Sequence, residues 1–234
     1  MDVSFCIIYR TEELYFLPEC LASLPQGCEI ILLENKEGEE FFEVLSDEYV
    51  YEGNRVIKAF MSWKELNFSV LKNKCKSLAT RGWIVNFDAD DRLHYIESEW
   101  LYLNNLSEKI GGIIVNVINQ HPKGMSLPIG EVVCTQQVRI FRNKPEILFT
   151  DRVHENIIPS IVASGYEIYV STIDFKHIGY YTKDKEIILN KYLRNVNLLI
   201  MDLNERFDFR QLALLRENLN DLNEIGYIKH SKEY

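Results

Sequence analysis

The chain has 234 residues, 47% of them hydrophobic and 26% charged, and its 35 acidic against 26 basic side chains leave a formal net charge of −9. That length and apolar content suit one compact domain with a sizeable core, or a domain with an appendage, and argue against disorder. The acidic balance argues against general nucleic-acid binding through phosphates, which needs clustered Lys and Arg, yet it leaves room for a local site that takes a small anionic ligand.

The start, Met1-Asp2-Val3-Ser4-Phe5, has no basic segment leading into a long apolar run, so it does not read as a signal peptide. The longest apolar runs fall far short of a membrane span. The cysteines, Cys6, Cys20, Cys28, Cys75 and Cys134, are scattered and include no C-x-x-C pair. They read as reduced thiols, mostly small core residues, and not as a disulfide or zinc framework. A soluble, cytoplasmic protein with no integral membrane segment is the expectation.

In chain order, Ser4–Tyr9 is a short apolar run suited to a strand buried on both faces. Glu13–Leu24 carries Leu14, Leu17, Leu21 and Leu24 at helical spacing. After the Pro25-Gln26-Gly27 turn comes a second buried strand, Glu29–Leu33, and after a Gly53-Asn54 turn a third, Arg55–Phe60. Phe68–Thr80 reads as a helix ended at Arg81-Gly82, with the glycine in a left-handed cap. Trp83–Phe87 is a fourth strand running straight into Asp88-Ala89-Asp90-Asp91. Strands alternating with helices at this spacing predict a mostly parallel sheet flanked by helices, with ligands beyond the carboxyl ends of the strands.

The second half predicts strands at Ile113–Ile118, Val138–Phe141, Tyr166–Ser171 and Ile173–Gly179, with a Gly/Pro-containing loop at Pro122–Gly130. From there the pattern turns helical: Leu189, Leu193, Val196, Ile200 and Leu203 recur at steps of four and three. Leu212, Leu215, Leu219 and Leu222 follow an Asp208-x-x-Gln211 capping signature. Lys183–Asn204 and Phe209–Glu224 are therefore expected to form a helical hairpin packed on the main domain, with a polar, fraying tail after Tyr227.

Two carboxylates one residue apart at the end of a buried strand are poorly explained by folding, because like charges repel and their burial is costly. A divalent cation held by oxygen ligands is the usual compensation, and a solvated turn with an Asp cap is the alternative. A calcium loop starting at Asp88 is rejected, since its sixth position is Leu93 where glycine is needed. An aspartyl-nucleophile phosphatase fits poorly, because Arg92 stands two residues after the second Asp and the motif is not on the first strand.

The stretch Asn67-Phe68-Ser69-x-x-Lys72-Asn73, followed by Gly82-Trp83-Ile84-Val85-Asn86-Phe87-Asp88-Ala89-Asp90-Asp91, resembles the "FS-x-x-RN … G-x-W-I-x-x-x-DADE" segment of family 2 glycosyltransferases with the GT-A fold. Phe5–Glu13 looks like that family's first strand and "C-x-I-x-x-N-E-E" turn. Arg139–Asn143, Arg152-Val153-His154-Glu155 and His177-Ile178-Gly179-Tyr180 resemble its "R-L-F-R-N", "G-R-V-H-E" and "H-x-G-Y" segments. The matches are in order over residues 3–181, and the helical tail resembles the tetratricopeptide-like helices that often follow this domain. The chain departs from the family at Glu34-Asn35-Lys36-Glu37-Gly38, where Asp-x-Gly-Ser-x-Asp is usual, and at Lys72, which keeps the charge of the family's Arg without its bidentate fork.

The resemblance implies a GT-A-type, Rossmann-like domain over residues 1–181 and a helical extension over 182–234. It implies inverting transfer of a sugar, hexosyltransferase-like, from a nucleotide-diphosphate donor, a UDP-sugar first among them, with Mn2+ or Mg2+ against the diphosphate. Asp90 is the implied direct metal ligand, with Asp88 on the ribose or a metal-bound water, Asp91 behind them, and His177 a third ligand. Tyr9, Arg10, Glu13, Glu34, Lys72, Asp88, Ala89, Arg139 and Arg142 are the implied donor contacts. Arg139 and Arg142 alternate with Ile140 and Phe141 and are read as sharing the strand face that meets the diphosphate. Glu155 is the expected general base, Asp151 the alternative. The acceptor stays open among a glycan, a lipid-linked glycan, a protein side chain and a modified nucleic-acid base. Two other functions compete: a catalytically silent nucleotide-sugar or metal-binding module, and a nucleotidyltransferase. The second is disfavoured because Arg10-Thr11-Glu12-Glu13 lacks the glycine-rich loop it needs.

Overall fold

In the computed structural model the described residues are 1–45, 49–94, 100, 102–119, 133–178 and 185–224. The predicted loop at Pro122–Gly130, the Gly179-Tyr180 pair, the 181/182 boundary and the tail after Tyr227 lie outside them.

The buried apolar runs become the central strands, β1 (Val3–Tyr9), β2 (Glu29–Glu37), β5 (Asn54–Trp63) and β6 (Trp83–Asp88). They run parallel in the spatial order β5-β2-β1-β6. Beyond β6 lie β9 (Val133–Arg142), antiparallel to both its neighbours, then β8 (Ile110–Asn119), β10 (Glu167–His177) and the short β7 (Asp91–Leu93). Two short strands, β3 (Phe41–Val44) and β4 (Tyr49–Tyr51), pair antiparallel with β5 at the far edge. The centre of the sheet is parallel and flanked by helices, as its alternating pattern predicts, and the antiparallel pairs lie toward its edges and at β9.

Alternate residues of each central strand face opposite layers. Phe5, Ile7, Ile30, Leu32, Val85 and Phe87 pack beneath α1 (Leu17–Ala22) and the segment holding Trp100 and Leu103. Cys6, Ile31, Leu33 and Ile84 face the other layer, with α2 (Phe68–Ser77), α3 (Ile158–Ala163) and α4 (Lys185–Glu205). α5 (Phe209–Glu224) packs along α4 as the expected hairpin, and Asp208 accepts from the backbone N–H groups of Arg210 and Gln211, as its capping signature predicts. Leu198 and Leu199 of α4 are buried against the sheet side, so the hairpin adds to the second layer of the core.

Several local expectations change. The predicted helix from Glu13 opens as a 3-10 turn (Thr11–Phe16), and α1 begins only at Leu17 because Pro18 fits a helix's first turn but not its interior. α2 stops at Ser77 because Thr80 gives its N–H and hydroxyl to the Glu29 carboxylate, at 2.7 Å each, in place of the helix ladder. Gly82 is not a left-handed cap: its N–H donates to the Asp2 carboxylate, and a Cβ there would push that exposed side chain aside. Left-handed positions do occur at Glu52 and Gly53, at φ 48° and 82°, which close the β4–β5 hairpin. The two predicted strands at 166–179 are one, β10, whose register against β8 shifts between Val170 and Asp174. Cys6, Cys20, Cys28 and Cys75 are buried free thiols and Cys134 an exposed one. No helix among the described residues is long and apolar enough to cross a membrane.

Candidate functional site

The acidic run sits where β6 ends, beyond the carboxyl edge of the parallel strands. Asp91 opens β7, which pairs antiparallel with β10 so that Asp91 and His177 are direct partners. This register carries His177 across 86 positions of sequence to the acids: its Nδ1 lies 2.8 Å from Asp91 Oδ1 and 3.5 Å from Asp90 Oδ1. Asp91 is fully buried, and its other oxygen accepts the backbone N–H of Asp88 at 2.9 Å, closing the turn.

Arg139 reaches this turn through a β-bulge. Ile113 pairs with Ile140 and Ile114 with Val138, so Arg139 is the extra residue, and its guanidinium is aimed at Asp88 (2.9 Å) and Asp91 (3.6 Å). Burial would raise Asp88, but the charges of Arg139, Lys72 and His177 outweigh it and hold that carboxyl well below the usual range. Among the ion pairs of the described residues, Asp90 faces only His177, at 3.5 Å. Burial, with Asp88, Asp91 and Glu13 nearby, pushes it up to about 7 against the opposing pull of His177. For His177, burial opposes the charged form, yet the Asp91 hydrogen bond and the charges of Asp90 and Asp88 raise its pKa.

One ligand atom each from Asp88, Asp90, Asp91 and His177 lies within 4.8 Å of the others. Three carboxylates and an imidazole form a donor set that fits Mn2+ or Mg2+, and a cation held there would relieve the crowding that raises Asp90. Asp90 and His177 are the residues best placed to hold such an ion, with Asp88 in reach, because Asp91 is already committed to the turn and the imidazole.

The remaining predicted residues fall in two groups. Tyr9, at the end of β1, is in register with Glu34 of β2, and Glu34 accepts the Thr11 hydroxyl at 2.8 Å. Burial and the Glu34 carboxylate push the Tyr9 phenol up to about 12. Arg10 and Glu13 form a local pair at 3.4 Å, with the Arg10 N–H donating to the same carboxylate, and Ala89 is buried in the acidic turn. Lys72 on α2 pairs with Glu155 at 3.1 Å, both largely shielded, and its charge also acts on Asp88. Glu155, Lys72 and the acidic turn are thereby linked.

Arg142 does not share a face with Arg139, since residues three apart on a strand point to opposite sides. It stands opposite Trp83, at the amino end of β6, roughly 16 Å of strand rise from Asp88. There it lies over the Trp83 ring at 4.2 Å and donates to the carbonyls of Leu106, Ser107 and Ile110. Asp151 is likewise drawn elsewhere. It sits at φ 72°, accepts from Arg206 (3.3 Å) and Arg210 (2.9 Å), and lines a cavity of about 320 Å³ with Asn67, Arg152, Asp202 and Gln211. Burial outweighs the two guanidiniums and raises its pKa, but the pair holds the carboxylate against the hairpin.

Sequence reasoning missed the cations of α4. Lys191 lies in the field of Asp90, Asp88 and Glu13, and Arg194 in that of Glu13 and Glu155. Their spacing of three on a helix was the available signal.

No protein-family model matches the chain. Over 163 residues, 69% of the chain, it is 28% identical to a TPR repeat-containing protein of Synechococcus elongatus, and it spans 37% of that relative's length. Among solved structures, S. aureus TarS 1-349 in complex with UDP gives a TM-score of 0.51 at 11% identity, covering 96% of this chain and 72% of that one. TarS 1-349 in a second crystal structure gives 0.48 at 11% identity, covering 97% and 73%. At such identity the likeness to the UDP complex is one of fold: the chain shares the layered α/β architecture of TarS.

Proposed function

We propose that the chain is a metal-dependent, inverting glycosyltransferase that moves a sugar from a nucleotide-diphosphate donor, a UDP-sugar first among them, to an acceptor hydroxyl or amine. The observation that carries this reading is the four-residue cluster of Asp88, Asp90, Asp91 and His177 at the carboxyl end of β6, with ligand atoms within 4.8 Å. The motif resemblance and the fold shared with a protein solved in complex with UDP support the donor class. The relative named for its TPR repeats supports reading residues 182–234 as a tetratricopeptide-like extension of a catalytic domain over 1–181.

In this reading Tyr9, at the end of β1, and Glu34, its register partner on β2, receive the base and ribose side of the donor. Asp90 and His177 hold the cation, which when bound supplies positive charge to the departing diphosphate. Arg139 keeps Asp88 ionised and in place. Glu155, steadied by Lys72, takes the proton as the acceptor oxygen or nitrogen bonds to the anomeric carbon. The bond from that carbon to the diphosphate oxygen breaks, and the electron pair leaves with the diphosphate. A single displacement inverts the anomeric centre.

The test is nucleoside-diphosphate release from a panel of nucleotide sugars with Mn2+ or with chelator, for wild type, Asp90→Ala and Glu155→Gln. Release that needs metal and falls by roughly 100-fold or more in both variants supports the assignment. Release unaffected by chelation and by Asp90→Ala overturns the metal role. Binding of a nucleotide sugar with no transfer to any acceptor, or to water, favours the silent binding module.

A further inference from the structure

We infer that α4, although it lies in the C-terminal hairpin, supplies part of the donor site: Arg194 and Lys191 form the seat for the negatively charged diphosphate. The inference rests on the nucleotide-diphosphate reading and adds to it the residues that would meet the phosphates.

Arg194 carries the argument. Its guanidinium is half-buried, lies over the ring of Phe68 at 5.1 Å, and donates, among the described residues, to a neutral group, the side-chain oxygen of Asn195, at 2.9 and 3.2 Å. Among the described residues no carboxylate comes within ion-pair distance of it, whereas Arg10, Lys72, Arg139 and Arg152 each have one. A shielded cation without an ion-pair partner is costly, and here the charge of Arg10 adds to the cost against the more distant pull of Glu13 and Glu155. Burial, and then the charge of Arg10, hold its pKa down, to about 10. Folding alone does not favour this arrangement, but an anion bound between these cations would relieve it.

The position is right for the diphosphate. Lys191 lies one turn before Arg194 on the same face, and side chains lean toward a helix's amino end. The carboxylates acting on the two cations are those of the site, Asp88, Asp90 and Glu13 for Lys191 and Glu13 and Glu155 for Arg194. The hairpin is fixed there by Leu198 and Leu199 in the core and by Asn195, which contacts Asn218 of α5 at 3.4 Å. Arg194 lies over Phe68 at the start of α2, one turn before Lys72, which pairs with Glu155 and whose charge acts on Asp88. A guanidinium suits two phosphate oxygens at once, and an ammonium adds a mobile point charge.

The experiment is calorimetric titration of the full chain, in Mn2+, with UDP, GDP, CDP and ADP, and with the matching nucleosides, for wild type, Arg194→Gln and Lys191→Gln. Wild type is expected to bind one diphosphate. Both variants should bind it roughly tenfold or more weakly, with a shallower salt dependence and unchanged nucleoside binding. Lys191 is exposed, so its variant keeps the fold and carries the test if Arg194→Gln does not. Diphosphate affinity equal to wild type in a folded variant overturns this inference and leaves the donor reading standing. If wild type binds none of the four diphosphates, the donor reading falls and this inference with it.

Discussion

Replacing Asp90 with Asn should make the metal-free protein more stable at neutral and alkaline pH. Asp90 is raised from its usual 3.8 to about 7 by burial and by the charges of Asp88, Asp91 and Glu13. The folded chain therefore binds the proton more tightly than the unfolded chain. Stability contributed by this group is fully present below pH 3.8 and falls as pH rises through about 7. At about 1.4 kcal/mol per pH unit, that span corresponds to about 4 kcal/mol of destabilisation by ionised Asp90 near pH 8. Asn keeps the shape and removes the charge, so Asp90→Asn should exceed wild type by up to about 4 kcal/mol at pH 8 and by nearly nothing at pH 3 to 4. Urea denaturation of both proteins in chelator at those pH values measures the difference. Adding Mn2+ at pH 8 should raise the stability of wild type, because the ion binds only the folded state, and leave Asp90→Asn nearly unmoved. An Asp90→Asn protein no more stable than wild type at pH 8 would refute the picture of an uncompensated carboxylate awaiting a cation.

The other predictions concern the residues around this turn. Arg139→Gln should destabilise the chain by about 3 kcal/mol in urea melts, because Asp88 and the buried Asp91 lose their counter-ion. Glu29 is fully buried and accepts from Ser4 (2.6 Å), Thr80 (2.7 Å) and Arg55, so Glu29→Ala should cost about 3 kcal/mol by the same assay. Burial opposes its ionisation but those hydrogen bonds prevail, so its pKa lies below 4.5, and its contribution is lost as pH falls below that value. Arg142→Gln should leave nucleotide binding unchanged in titration calorimetry while lowering stability by about 1 kcal/mol, since it touches only Trp83 and three carbonyls at the amino end of β6. Leu199→Ala, which empties a fully buried position where the hairpin meets the sheet layer, should cost about 3 kcal/mol.

How much was legible in sequence follows from the range of the interactions. The runs at Ser4–Tyr9, Glu29–Leu33 and Trp83–Phe87 announce buried parallel strands because a strand covered on both faces must be apolar throughout. The acidic turn is legible because charge at the end of such a strand has no folding rationale. The limits of α2, the misassigned Gly82 and the displaced Arg142 depend on distant partners: Thr80 leaves its helix for Glu29, Gly82 yields to Asp2, and Arg139 turns on a bulge set by β8. None of these partners lies within a local window, so periodicity alone has no access to them.

The sequence by itself determined the α/β class, the hairpin of α4 and α5, and the place of Asp88 and Asp90 at a strand end, because these depend on hydrophobic period and local spacing. Tertiary structure alone decided which residues join them. The β7–β10 register carries His177 to Asp91, Lys72 meets Glu155 across two elements, and packing of the hairpin sets Arg194 over Phe68 of α2. Asp151 is drawn to the arginines of that same hairpin instead. Charges act through space, over distances that the order of residues along a chain does not encode.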